Sequence, residues 1–302
     1  MAVLPRAEID IAPSLVRSLL ADQHPDLADL PLRPAGHGWD NVLFRLGEDL
    51  VVRLPRREAG AGLMVAEQQW VPRLTAHLTL PTSAPVRIGV PGAGYPWHWS
   101  VSRWIDGVSG ITVPRAGRSP AAVPLARFLA GFHQPAPRDA PVSPVGRGGP
   151  LAARDDVLRT RLASLPDIPG VPTAALLRVW DSALAAPGRQ NAPLWLHGDL
   201  HPANVVLAPD GTLAGVVDFG DLCSGDPATD LAAAWLHFDA AGRSAFRAET
   251  HRLRPVDAAT WERARGWALS MGSALAMTSD DSPAFLGLGV GILAAVLEDG
   301  HR

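Results

Sequence analysis

Residues Leu194 to Asp230 read LWLHGDLHPANVVLAPDGTLAGVVDFGDLCSGDPATD, and this stretch decides the fold. Three short apolar runs, Leu194 to Leu196, Val205 to Leu207 and Leu213 to Val217, alternate with segments rich in Gly, Pro, Asp and Asn. The pattern predicts a strand, then an exposed loop over His197 to Asn204, where Gly198 and Pro202 bar a regular helix. A hairpin turning at Pro209-Asp210-Gly211 follows and carries Asp218-Phe219-Gly220 back beside that loop. The side-chain oxygens of Asp199, Asn204 and Asp218 are therefore expected to converge. Gly225-Asp226-Pro227 then opens an apolar helix with Leu231, Ala234 and Trp235, and Asp226 stands in the position of its cap.

Upstream, a short helical opening over Ala12 to Ala21 precedes Gly36-His37-Gly38-Trp39-Asp40-Asn41, a turn-rich segment expected to join two strands. Asn41 to Leu46 and Leu50 to Leu54 form a predicted hairpin around Gly47-Glu48-Asp49. Arg57 to His77 places Leu63, Val65, Trp70, Val71 and Leu74 near helical spacing, which predicts a helix interrupted or bent near Pro72, with Glu67 on its polar side. Pro96 to Ile105 reads as a further strand, and Asp106-Gly107 as the passage between lobes. Beyond it, Leu125, Phe128, Leu129 and Phe132 predict a helix from Ser119-Pro120 to His133, and Pro135 to Pro150 a long surface loop. Helices are expected near 151–164, 173–186, 227–240, 256–277 and 283–298. Strands first and helices later predict an α+β fold of two lobes, 1–105 and 106–302.

Composition narrows the function. A chain of 302 residues with 47% hydrophobic content can bury two cores, and a net charge of −3 without a sustained Lys/Arg run gives no footprint for nucleic acid or an anionic membrane. The sequence contains no lysine, which excludes the lysine-bearing phosphate loop of Walker type. Cys223 is the single cysteine, compatible with a reducing compartment. The first twenty residues carry Arg6, Glu8, Asp10 and Arg17 and do not read as a secretory signal, so a cytoplasmic location is expected. The longest apolar run, Ala284 to Leu297, is too short and glycine-rich to cross about 30 Å of hydrocarbon.

The spacing of His197, Asp199 and Asn204, followed by Asp218-Phe219-Gly220, resembles the kinase signature H-R-D-L-x-x-x-N with D-F-G. Gly198 in place of the Arg, and His201-Pro202 after the Asp, make the chain similar to the aminoglycoside and macrolide phosphotransferase family. The resemblance implies a bilobal protein-kinase-like fold with a β-rich N-terminal nucleotide-binding lobe and a mainly helical C-terminal catalytic and substrate-binding lobe. It also implies transfer of the γ-phosphoryl of ATP or GTP, with Mg²⁺, to a hydroxyl of a small molecule. Asp199 would accept a hydrogen bond from that hydroxyl, orient it and take its proton late. Asn204 and Asp218 would be the hard oxygen ligands of the metal. Asp230 would bond the backbone of the catalytic loop.

In the first lobe Arg53, within LVVRLP, stands where kinases place the lysine that touches phosphate, and Glu67 is its natural partner. The exchange is not neutral, because a guanidinium is planar and bidentate where an ammonium is a compact point charge. Gly38 and Asn41 lie in a segment that resembles a shortened phosphate-covering loop and are further candidate nucleotide contacts. Plainer readings compete: Asp and Asn capping turns, Arg53 on the exposed face of a strand, and His197 with His201 as a zinc pair, against which Gly198 and Pro202 argue. The implied acceptor is an antibiotic such as an aminoglycoside or macrolide. The alternatives are a metabolic kinase of an amino alcohol or sugar, or a nucleotide-binding pseudokinase, which the intact Asp199, Asn204 and Asp218 disfavour. An aminoglycoside pocket should be acidic, and the second lobe carries Asp239, Glu249, Asp257, Glu262, Asp280 and Asp281. The enzyme is expected to act as a monomer or homodimer, with nucleoside triphosphate and a small hydroxylated substrate as its partners.

Overall fold

A computed structural model of the chain describes residues 6–279 and 282–298; Asp280 and Asp281 lie outside them. The fold is α+β and divides into two compact units, Leu4–Asp106 with Gly215–Gly220, and mainly Gly107–Ala214 with Asp221–Arg302.

The first unit is a five-stranded antiparallel sheet with the order β1-β2-β3-β5-β4, where β1 is Leu32–His37, β2 Asn41–Leu46, β3 Leu50–Pro55, β4 Pro85–Gly89 and β5 Trp99–Arg103. The β2-β3 hairpin closes at Leu46 and Leu50 as its turn chemistry requires. One face of the sheet meets α1 (Pro13–Gln23): Val16, Leu19 and Leu20 bury against Phe44, Leu46, Val52, Leu54, Trp99 and Val101. Burying side chains of this size contributes about 1.5–3 kcal/mol each. Helix α2 (Glu58–Thr75) is tied to the sheet through Gln68, which donates to the carbonyls of Gly89 and Trp99. The helix continues through Pro72, so the expected interruption does not occur, and the proline forfeits the hydrogen bond that an N–H there would donate to the Gln68 carbonyl. Gly215–Gly220 joins this unit through Val216, whose N–H donates to Pro81 O and whose carbonyl accepts from Ser83 N.

The second unit holds β6 (Val108–Ser109), α3 (Ala122–Phe132), α4 (Asp155–Ala163), α5 (Thr173–Ala185), β7 (Leu194–Leu196), β8 (Val205–Leu207), the start of β9 (Leu213–Val216), β10 (Cys223–Gly225), α6 (Ala228–Leu231), α7 (Ala233–His237), α8 (Ala240–Leu253), α9 (Ala258–Thr278) and α10 (Pro283–Glu298). Strand β7 pairs with β10, and β6 with β8. The long α9 is the axis of the helical core, with α5, α6 and α10 packed on it and Trp180, Trp267, Leu269 and Ile292 buried around it. The single helix expected at 227–240 is two short ones, α6 and α7, flanking Ala232. Helix α8, capped by Asp239 accepting from Gly242 N, was not anticipated, nor was β10.

Candidate active site

The loop between β7 and β8 is held by its backbone. Asp230, fully buried, accepts from His197 N at 2.8 Å, Gly198 N at 2.9 Å and His133 Nε2 at 3.0 Å. Burial opposes its charge, but the bonds from His133 and the neighbouring histidines outweigh burial and lower its pKa. This is the role the sequence resemblance implied for Asp230. Gly198 has φ +84°, and a Cβ there would stand 2.3 Å from Asp221 O, so the loop can turn only at a glycine. His197 is buried and accepts from Asp199 N through Nδ1 at 3.4 Å. Buried His237 reaches the Leu200 carbonyl at 3.0 Å. Burial, and then Arg118, lower its pKa to about 3, so it is neutral and donates.

Asp199 and Asn204 lie together in this loop. The Asn204 Nδ2 donates to the Asp199 carbonyl at 2.9 Å, which leaves its Oδ1 without a hydrogen bond among the described residues. The Asp199 carboxylate meets Arg147 at 2.7 Å and His201 Nε2 at 3.3 Å. Burial alone would raise the Asp199 pKa; Arg147, His201 and His197 overcome it and hold the group well below the ordinary carboxylate range. Arg147 went unnoticed in the sequence because it lies in the proline- and glycine-rich segment expected to be a surface loop. That loop is pinned by close backbone approach: a Cβ on Gly225 would meet Gly148 O at 2.4 Å, Asp226 N donates to Gly148 O, and Gly148 N donates to Thr229. Cys223 is buried in the same region, its Sγ near the Arg147 carbonyl, and burial raises its pKa. It packs rather than reacts.

In the first unit, Arg53, Glu67 and Asp218 come together. Arg53 and Glu67 form a buried ion pair on β3 and α2, and Arg53 also reaches the Asp218 carboxylate at 3.6 Å. The plain reading of Arg53 as an exposed strand residue does not hold, since it is only 5% exposed. Burial pulls its pKa down, yet Glu67 and Asp218 more than compensate and raise it, so it is a permanent cation. Asp218 is half-exposed at φ +61°, a conformation that costs most residues but that Asp tolerates, and its N–H donates to Ser83 Oγ at 3.1 Å. Gly38 and Asn41 meet across the β1-β2 turn, where Gly38 N donates to Asn41 O at 2.8 Å, and Arg56 reaches His37 and the Gly38 carbonyl.

A family model described as the phosphotransferase enzyme family matches residues 31–267. The chain belongs to that family. Among solved structures this phosphotransferase resembles wild-type aminoglycoside 2'-phosphotransferase-IIIa in its GDP complex, at 17% identity and TM-score 0.65, over 94% of this chain and 98% of that one. It also resembles the apoenzyme of macrolide 2'-phosphotransferase MphH from Brachybacterium faecium, at 18% identity and TM-score 0.61, over 92% and 97%. A third is aminoglycoside phosphotransferase APH(2'')-Ib bound to ADP, at 17% identity and TM-score 0.57, over 95% and 99%. At such identities the likeness is one of fold. No curated protein matches the chain in sequence.

The donor chemistry of the phosphotransferase suits magnesium, a hard cation that prefers a few protein oxygens and completes its shell with phosphate and water. Asn204 Oδ1, in the second unit, and the half-exposed Asp218 carboxylate, in the first, are each a hard oxygen of that kind. Among the described residues no cluster of three or more His, Cys, Asp and Glu could hold a metal, which leaves the zinc reading of His197 and His201 without support. His201 is engaged otherwise, accepting from Ala203 N at Nδ1 and facing Asp199 with Nε2.

The Arg147 contact is expected to show in the pH dependence of activity. A carboxyl whose pKa is lowered by folding is ionised above its unfolded value, about 3.9, and loses that advantage as pH falls through the lowered one. Removing the cation that most favours ionisation moves this loss to higher pH. The kcat/KM profile of Arg147→Gln is expected to show its acid limb displaced upward relative to wild type, and an unmoved acid limb would show that Arg147 does not tune Asp199.

Proposed function

We propose that the chain is a small-molecule kinase that transfers the γ-phosphoryl of ATP or GTP to a hydroxyl. The observation that carries this reading is Asp199, ionised beside Arg147 and His201 on a loop whose backbone Asp230 fixes. Phosphoryl transfer passes through a loose transition state, so the protein's work is positioning and charge stabilisation. Asp199 accepts the hydrogen bond of the acceptor hydroxyl, aligns it and takes its proton late. Arg53, kept charged and rigid by Glu67, bridges phosphate oxygens as a planar fork. Gly38 and Asn41 border the phosphates from the β1-β2 turn. Asn204 and Asp218 would hold Mg²⁺, which when bound neutralises charge on the phosphoryl oxygens. In this reading the first unit takes the nucleotide and the second carries the acceptor, in a chain working as a monomer or homodimer in the cytoplasm. No described helix is long and apolar enough to cross a membrane.

The names of the similar structures point to antibiotics, aminoglycosides or macrolides, as acceptors. A metabolic kinase of an amino alcohol or sugar is the second reading, and one observation favours it. Four acidic residues that a polycation pocket would call on already have structural roles. Asp239 and Asp257 cap helices, Glu249 is paired with Arg127 and Arg252, and Glu262 accepts from Ser182. The test is nucleotide consumption against a panel of antibiotics, sugars and amino alcohols, with the phosphorylated product identified by mass. Wild type is expected to bind ATP or GTP in a magnesium-dependent way and Asp218→Ala to lose that dependence; equal binding by both, or no product from any acceptor, speaks against the reading.

A further inference from the structure

A cavity of about 400 Å³ lies wholly within the second unit, between Ile111–Arg118 and the first turns of α10. Its walls combine apolar groups (Ile111, Val113, Leu288) with two arginines, Arg115 and Arg118. Arg115 has partners: it donates to the Phe238 carbonyl at 3.2 Å and is drawn to Glu298 and Asp239, although burial, with Arg243, still lowers its pKa. Arg118 differs. It is 6% exposed, its Nε and Nη1 are buried without a hydrogen-bond partner, and no described carboxylate pairs with it. Its pKa is lowered to about 10, first by burial and then by repulsion from Arg115. Neutral His237, close enough to feel that charge, offers no compensation. A buried guanidinium with unmet donors is costly unless an anion joins it. The N-terminal end of α10, at Pro283 and Ala284, borders the same cavity and favours negative charge.

Both walls rest on the loop that carries Asp199. Gly110, next to Ile111, lies so close to the Pro202 carbonyl that a Cβ would stand 2.7 Å from it. On the other wall, the Phe285 ring meets His201 edge-on at 5.6 Å, and His201 in turn faces Asp199. We propose that this cavity receives the carboxylate or phosphate of the acceptor, with Arg118 as its binding residue, so that the phosphorylated hydroxyl belongs to an anionic small molecule and not to a polycation. This deepens the kinase reading and rests on it.

The experiment uses the full chain and three measurements. Inorganic phosphate, titrated at constant ionic strength, is expected to raise the melting temperature of wild type and to leave Arg118→Gln unmoved. Without added phosphate, Arg118→Gln is expected to melt no earlier than wild type, since it removes an unpaired buried charge; a merely structural arginine would give an earlier melt. Nucleotide consumption is then compared for D-ribose 5-phosphate, D-gluconate, D-ribose and kanamycin, the first two separating phosphate from carboxylate. The anionic acceptor is expected to show a KM that Arg118→Gln raises about tenfold or more with kcat little changed, and that Arg118→Lys partly restores. A phosphate shift retained by Arg118→Gln, or turnover of ribose or kanamycin with a KM indifferent to that substitution, overturns the proposal. Failure of the kinase reading appears separately, as absence of magnesium-dependent nucleotide binding, and leaves the phosphate response to decide whether the anion site exists.

Discussion

Asp199→Asn is expected to lower kcat by roughly 10²- to 10⁴-fold while nucleotide affinity stays near that of wild type. The amide keeps the size of the side chain but can neither take a proton nor hold a negative charge toward Arg147 and His201. The loop itself should survive, because its anchors are backbone groups bonded to Asp230 and His237 and do not involve the Asp199 carboxylate. Single-turnover measurements with saturating nucleotide, beside a direct nucleotide-binding titration, separate the two effects. Near-normal turnover in this variant would remove Asp199 from the reaction.

Glu67→Ala should be the most destabilising single change in the first unit. Its carboxylate is 1% exposed and pairs with a guanidinium that is 5% exposed, so truncation strands a cation inside the sheet. Breaking a buried pair in this way costs about 3–5 kcal/mol. Asp218, at 3.6 Å, relieves part of the loss and sets the outcome toward the lower end. Replacing both Arg53 and Glu67 with methionine should recover much of the stability while abolishing phosphate contact, since a hydrophobic pair of similar volume is often neutral. Denaturant unfolding of wild type, Arg53→Met, Glu67→Met and the double methionine variant closes a double-mutant cycle and gives the coupling directly. A Glu67→Ala variant within about 1 kcal/mol of wild type would mean that the pair is not closed to solvent as described.

What the sequence made legible follows from the range of the interactions involved. The β2-β3 hairpin, the loop between β7 and β8 and most helices announce themselves through local period and turn chemistry, so their positions could be read from neighbouring residues. Helix α8 was missed because its stretch is polar, with Arg243, Arg247, Glu249 and Arg252 breaking up the apolar stripe and Phe246 the main buried aromatic. The 227–240 segment read as one helix because its apolar run gives no sign of the interruption at Ala232. Arg147 and Arg118 carry no motif at all. The first reaches Asp199 only because Gly148 lets the loop settle on Gly225, and the second matters only because none of the described carboxylates answers its charge. Such features arise from tertiary placement, which single-chain periodicity does not encode.

The buried Arg53 has a practical corollary. Reagents that capture enzymes of this general design, such as acyl phosphates of nucleotides and aryl aldehydes, do so by forming an amide or imine with a side-chain amine. This polypeptide offers them none, and the guanidinium that stands in its place is walled in by Glu67 and remains protonated far into alkaline conditions. Covalent profiling aimed at amines will pass over Arg53, and chemical labelling of this molecule has to be directed elsewhere.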